Sequence, residues 1–349
     1  MKLGQAARPD PSSILVVYVS RIGDTMLITP AVRALAQAWP RARIDFLGSA
    51  KSAEVFRHLP FVAHVGSLTK GQARLAGWLR RKKKYDLALV YGYDGDGPFV
   101  EYALRVAQDV IAFHQRKNAL NARLLAAVEK PPFQSCHSVD NFLCLLRPLA
   151  IPHAGKYLSY AVAPEERRWA QSQLTPLRAH GSAPLIGLQV ASFPTKGYRD
   201  WPIGSFIELC WQVRQVYPAV RFLIFGGKQE QERTRQLHSK FPECSTHYAG
   251  EITLRETAAL MEQIDLYVGV DTGPTHIMGA LHRAMVTLYH PYSPSWLLAP
   301  LEHPCLYVVD HPDAGSGCGP EASMAAISVD RVWSCVAEAL ARHFDGRIA

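Results

Sequence analysis

The chain lacks any long apolar run. Its hydrophobic segments are strand-sized and broken by glycine, proline or charge, so none has the length that a bilayer span needs. The first dozen residues, Met1 to Ser12, carry no apolar core of the kind a secretory signal requires, and a cytoplasmic location is expected. No Cys-x-x-Cys pair occurs among the seven cysteines, and the odd count argues against a fully paired disulfide framework, so reduced thiols are expected. His303, Cys305, His311 and Cys318 are too irregularly spaced to suggest zinc. No Gly-x-Gly-x-x-Gly follows the first strand, which removes the fingerprint of an NAD-dependent oxidoreductase. Aromatic and basic residues do not interleave along any strand, so nucleic acid is not an expected partner even at a net charge of +8.

What is present is a chain of 349 residues, 48% hydrophobic, long enough for two domains with separate cores. Ile14 to Val19 is a continuous apolar run, as a buried parallel strand requires, and an apolar helix follows to about Trp39 with Pro30 inside it. Further strands are expected at residues 43–47, 62–65, 86–91 and 109–113, each separated by a helical or polar segment. A second series opens near Pro184, with strands at residues 185–190, 220–225, 265–270 and 285–289. Such alternation predicts an α/β fold of two Rossmann-like domains facing a central cleft. The first spans residues 1–160, a breaker-rich linker 161–183, the second domain 184–328 and a terminal helix 329–349.

Two turns stand out. Val268 to His276 runs from a β-branched strand directly into a helix. Thr272 can cap that helix, Gly273 admits a ligand close to the backbone, and Pro274 sits where its missing N–H costs nothing. Exposed N–H groups and the positive end of the helix dipole suit a phosphate there, although a well-capped βα turn needs no ligand. Near the other end, Gly23-Asp24 follows the first strand; an Asp there is either an ordinary N-cap or a group aimed at the crevice.

Gly269-Val-Asp-Thr-Gly-Pro-Thr-His276, preceded by Thr253-Leu-Arg-Glu-Thr-Ala-Ala-Leu260, resembles the donor-site signature of glycosyltransferase family 9, which contains the ADP-heptose:lipopolysaccharide heptosyltransferases. Arg21-Ile-Gly-Asp-Thr-Met-Leu-Ile-Thr-Pro-Ala-Val-Arg-Ala-Leu35 resembles that family's other hallmark. The resemblance implies the GT-B architecture, with the terminal helix packing back on the N-terminal domain. It also implies an inverting transfer of heptose from ADP-heptose to the lipopolysaccharide inner core, with no metal or other cofactor. Asp24 would be the catalytic base, and Gly23 and Arg21 would line the acceptor site. Asp271, Thr272, Gly273 and His276 would surround the donor diphosphate. The family carries a Lys or Arg shortly before a Trp-Pro pair; here Arg199 keeps the usual spacing to Trp201-Pro202, and Lys196 is a second choice. Ser192 is a candidate hydroxyl donor to phosphate, and Glu230, after Gly226-Gly227, a candidate acceptor of ribose hydroxyls or simply a favourable helix-opening residue.

Residues 288–294, Leu-Tyr-His-Pro-Tyr-Ser-Pro, depart from the family by lacking its usual Gly-Pro, which bears on the sugar pocket. Arg74, Arg80, Arg81, Lys82, Lys83 and Lys84 concentrate positive charge in one helix and its end. They are either a solvated face or a patch for an anionic glycolipid acceptor and a peripheral contact with an anionic membrane. Asp94-Gly-Asp96 has the spacing of a metal-chelating pair but the composition of a turn. The rival to the enzyme is a non-catalytic glycolipid-binding protein, which would have no use for a base at Asp24.

Overall fold

The computed structural model describes residues 9–79, 83–92, 97–132, 134–178 and 183–347. The chain divides into two compact units, Met1–Lys156 and Tyr157–Ala349. In the first, Ile14 to Val17 are fully buried, as a strand covered on both faces must be. They belong to β1 (Ser13–Val17), which is followed by β2 (Arg43–Gly48), β3 (His64–Ser67), β4 (Tyr85–Val90), β5 (Ala107–Phe113) and β6 (Ala126–Val128). Every pairing is parallel and the order is β3-β2-β1-β4-β5-β6. The chain grows outward from β1, then restarts beside it with β4. Loops leaving the carboxyl ends of β1 and β4 therefore part, and ligands bind at such switch points. Pro30 does more than bend the first helix. It divides it into Ile22–Leu27 and Thr29–Ala38, with Pro30 in the opening turn of the second.

The second unit repeats the plan with β7 (Leu185–Gln189), β8 (Arg221–Phe225), β9 (Ser245–His247), β10 (Leu266–Val270), β11 (Met285–Tyr289) and β12 (Leu306–Asp310). Its order is β12-β11-β10-β7-β8-β9, again all parallel, which puts its switch point between β7 and β10. Two doubly wound sheets in one chain are the α/β fold expected. All seven cysteines are free.

The expected boundaries need correction. Residues 161–183 are not a plain linker, because they contain the helix Pro164–Arg178, which buries Ala170 and Leu174 within the second unit. Glu165 and Glu166 in its first turn and Arg178 in its last suit the helix dipole, which the breaker-rich flanks obscured in the sequence. The terminal helix, Val329–His343, was expected on the N-terminal domain. Its apolar stripe of Val332, Val336, Ala339 and Leu340 joins the second unit's core with Trp201, Phe206 and Leu209. Trp201 is anchored there by its Nε1–H, which donates to the Ile327 carbonyl at 2.9 Å.

The stretch around Leu254–Met261 is explained by folding. Thr253 and Glu256 cap the helix reciprocally. Arg255, nearly buried, donates to both oxygens of Glu166 at 2.8 and 2.6 Å and to the Ala161 carbonyl at 2.7 Å, with its guanidinium 4.7 Å from the Tyr160 ring centroid. This clamp fastens the start of the second unit to its sheet-covering helix. Arg255→Met strands Glu166 and is expected to cost about 3 kcal/mol, seen as a lower urea midpoint; adding Glu166→Leu to the same chain should recover part of that loss.

Candidate active site

At the switch point of the first sheet, the chain leaves β1 through Ser20 and an extended Arg21, and the helix Ile22–Leu27 begins. Asp24 is the third residue of that helix and not its cap, so the capping explanation of this carboxylate fails. Its Oδ2 accepts a hydrogen bond from the Ser20 hydroxyl at 2.8 Å, which fixes the rotamer, and the residue is half-buried. Gly23 and Arg21 flank it in the same turn, Arg21 exposed. Lys130, just past β6, shares the region. Burial of the surrounding surface lowers its pKa, and the Asp24 charge opposes that shift. Nothing in the sequence singled Lys130 out, because an isolated lysine after a short edge strand has no pattern.

At the switch point of the second sheet, β10 delivers Asp271 and the helix Gly273–Ala280 starts with Thr272 as N-cap and Pro274 in the first turn. Thr275 donates its hydroxyl to the Val270 carbonyl at 2.6 Å, so it can only accept from the Tyr267 hydroxyl at 2.8 Å and the Thr272 hydroxyl at 3.0 Å. The Thr272 hydroxyl, expected on the diphosphate, is thus committed to the cap. What remains for a ligand is the backbone: the first N–H groups of a helix have no intrahelical partner, and Gly273 adds no side chain in front of them.

Asp271 is the centre of the arrangement. It is 2% exposed, and its two oxygens face Arg199 Nη1 at 2.5 Å and His276 Nε2 at 3.2 Å. Burial disfavours its charge, but Arg199 and His276 outweigh burial and hold the carboxyl below its ordinary range. His276 is itself almost fully buried, and its Nδ1 has no hydrogen-bond partner. Gln189 Oε1 at the end of β7 and Ser293 Oγ after β11 are likewise buried without partners, at the same edge of the sheet. Such groups are rare in folded proteins, and water or a ligand completes their bonding.

The cations arrive on the turn Pro194–Arg199, whose ends are fastened. Asp200 Oδ1 accepts from the Ser192 backbone N–H at 2.7 Å and from the Ser192 hydroxyl at 2.6 Å. Arg233 stands 3.8 Å from Asp200 and donates to the carbonyls of Val190 and Trp201. Ser192 therefore braces the loop, and its hydroxyl hydrogen is not available to phosphate as expected. Asp200 and Arg233 were missed in the sequence; an Asp beside Trp201 was the only available signal. Glu230 turns back so that its Oε2 accepts from the Gly227 N–H at 2.6 Å, a local helix-opening bond.

Other sequence candidates lie elsewhere. Asp94, Asp96, Arg80, Arg81 and Lys82 fall outside the described residues, while Lys83 and Lys84 are exposed. His311 uses both ring nitrogens on the backbone of Ser323 and Asp313, and His303 Nδ1 accepts from the Cys305 N–H. Among the described residues no group of three or more His, Cys, Asp or Glu is placed to hold a metal ion, and no helix is long and apolar enough to cross a membrane.

Two doubly wound domains in one chain, each with a strand-to-helix turn at its switch point, form the GT-B architecture of glycosyltransferases. The sequence profile of glycosyltransferase family 9 (heptosyltransferase) matches residues 79–304, and the chain belongs to that family. Lipopolysaccharide heptosyltransferase 2 of Salmonella typhimurium is 26% identical over 313 residues, covering 83% of this chain and 86% of that protein. The fold is shared with Escherichia coli ADP-heptose LPS heptosyltransferase II, with TM-score 0.76, 21% identity and coverage of 95% and 99% of the two chains. It is shared more distantly with TibC of enterotoxigenic E. coli, an iron-containing dodecameric glycosyltransferase, with TM-score 0.55, 12% identity and coverage of 95% and 76%.

The commitment of the Thr272 hydroxyl can be checked. Thr272→Ala should cost about 1 kcal/mol of stability in denaturant titrations, the ordinary value of a lost cap, while Thr272→Ser should keep both stability and nucleotide affinity.

Proposed function

We propose that this glycosyltransferase moves a heptose from ADP-heptose to the inner core of a lipopolysaccharide acceptor with inversion at the anomeric carbon. The observation that carries the reading is the buried, ionised Asp271 held by Arg199 and His276 beneath a Thr-capped helix start. It is the kind of rigid, positively biased concavity that a leaving diphosphate needs. The names of the relatives supply the heptose and the lipopolysaccharide.

In this reading Asp24 takes the proton of the acceptor hydroxyl as its oxygen attacks the anomeric carbon. The bond from that carbon to the donor phosphate oxygen breaks, and its electron pair leaves with ADP. The Ser20 hydrogen bond keeps the Asp24 carboxylate in one rotamer, and general-base assistance of this type contributes about 10²- to 10⁴-fold. Charge on the departing diphosphate is met by the N–H groups at Gly273 and by the cations of the 194–199 turn. Those groups stand in for a divalent metal, so the proposed reaction needs none. Gly23 and Arg21 border the acceptor, and the basic stretch through Lys83 and Lys84 receives an anionic glycolipid or leaflet at the cytoplasmic membrane face.

Calorimetric titration with ADP, UDP and GDP, first with chelator and then with magnesium, tests the donor. Selective ADP binding that does not need magnesium is expected, and preference for UDP or GDP would move the chain to another donor. Asp24→Asn should then lower turnover by about 10²- to 10⁴-fold while ADP affinity stays within about twofold. Unchanged turnover would remove Asp24 from the role of base.

A further inference from the structure

Two cations stand on the turn before Trp201, and their surroundings separate them. Arg199 is only 20% exposed at its side chain and spends Nη1 on Asp271 at 2.5 Å. Its Nε lies 3.4 Å from the Tyr198 hydroxyl. Lys196 is more loosely held: its Nζ is 3.4 Å from the same hydroxyl and 5.4 Å from the Tyr198 ring centroid, with no carboxylate of the described residues in salt-bridge reach. Its charge acts on Asp271 through space. A guanidinium fork used on a buried carboxylate is a fixed brace, whereas an ammonium on a flexible stem can swing to an arriving anion. Drawing Arg199 away to a phosphate would leave Asp271 buried with a partner lost, which is the costlier exchange.

We propose that Lys196 is the cation that meets the diphosphate of the nucleotide, and that Arg199 is a positioning residue that holds Asp271. The inference rests on the donor-site reading above and assigns the spacing-matched residue the indirect role. Lys196 leaves regular helical geometry, at φ −128° and ψ 15°, a local kink that turns this residue apart from its neighbours. Tyr198 sits between the two cations, and its ring meets His290 edge-on at 4.8 Å and Tyr292 at 6.3 Å, which fixes the hinge about which the lysine moves.

Asp271 is faced by Arg199 and Lys196 from the turn, by His276 from its own helix, and by Tyr267 and Tyr289, whose phenols its charge helps to push up, from β10 and β11. Loss of Arg199 removes the largest group that favours the ionised carboxyl, so the carboxyl should protonate at a higher pH than before. The pH profile of turnover consequently responds more to loss of Arg199, whose charge weighs more on Asp271, than to loss of Lys196.

The test compares Lys196→Met, Arg199→Met, Asp271→Asn and the double variant Arg199→Met with Asp271→Asn. Each is titrated with ADP and AMP at several salt concentrations and assayed for transfer across pH, with Arg199→Lys as a milder variant should Arg199→Met fold poorly. Lys196→Met should weaken ADP about 10- to 100-fold, flatten its salt dependence, leave AMP unaffected and move the acid limb of the turnover profile less than Arg199→Met does. Arg199→Met should change ADP and AMP affinity alike and shift the acid limb upward, a shift absent when Asp271 is Asn. Selective loss of ADP over AMP affinity in Arg199→Met, with Lys196→Met unaffected, would reverse the assignment and leave the donor site standing. Failure of the unsubstituted protein to bind ADP would overturn the donor-site reading, and this inference with it.

Discussion

A carboxylate inside a protein is stable only if other groups replace the water it has lost, and Asp271 obtains that replacement from two directions. Arg199 reaches it from the turn after β7, and His276 from one turn along the helix after β10. The Arg199 bond therefore joins the two segments that part at the second sheet's switch point, while His276 braces Asp271 within its own segment. The crevice is fixed in shape before any ligand arrives, and preorganisation of that kind is what electrostatic stabilisation of a leaving group requires. One negative charge surrounded by an arginine, a lysine and a histidine also leaves the pocket with a positive bias. Asp271 is thus better understood as the keystone of an anion site than as a direct contact for an anion.

The two units solve the same problem with different chemistry. Both place their turns of interest at the carboxyl ends of central parallel strands, where the order reverses. In the first unit the turn presents a half-buried acid fixed by a neighbouring serine. In the second it presents backbone N–H groups and cations. An acid and an anion cradle are the two kinds of group that the proposed glycosyl transfer calls for.

The strands legible in the sequence were those buried on both faces: β1, β7, β10 and β11 are continuous apolar runs and were placed within a residue or two. The strands that escaped notice, β6, β9 and β12, sit at the sheet margins and are mostly half-buried, and β6 and β9 are only three residues long. Their identity comes from a partner strand and not from their own composition. The same division holds at the site. Asp24, Asp271 and His276 were visible because a strand-to-helix turn has recognisable chemistry, whereas the separate uses of Lys196 and Arg199 depend on distances across more than seventy positions of chain. Thr272, Ser192 and Glu230 show local bonds that composition does not reveal. Each is polar and stands beside the site, yet each is occupied by the turn it helps to build.

The clasp between Ser192 and Asp200 closes the intervening residues into a small ring tied to the sheet at a single base. Closure costs little for so short a loop, and Arg233 bonds the backbone on both sides of it. Residues inside the ring contribute almost nothing to the buried core: Phe193 points into solvent, and Gly197 has open space around it. The ring is accordingly a detachable reading head. Apart from Arg199, which is bound to Asp271, its contents can be exchanged without disturbing β7 or the Trp201 anchor, so the other side chains that meet a ligand are free to drift while the architecture that presents them stays fixed.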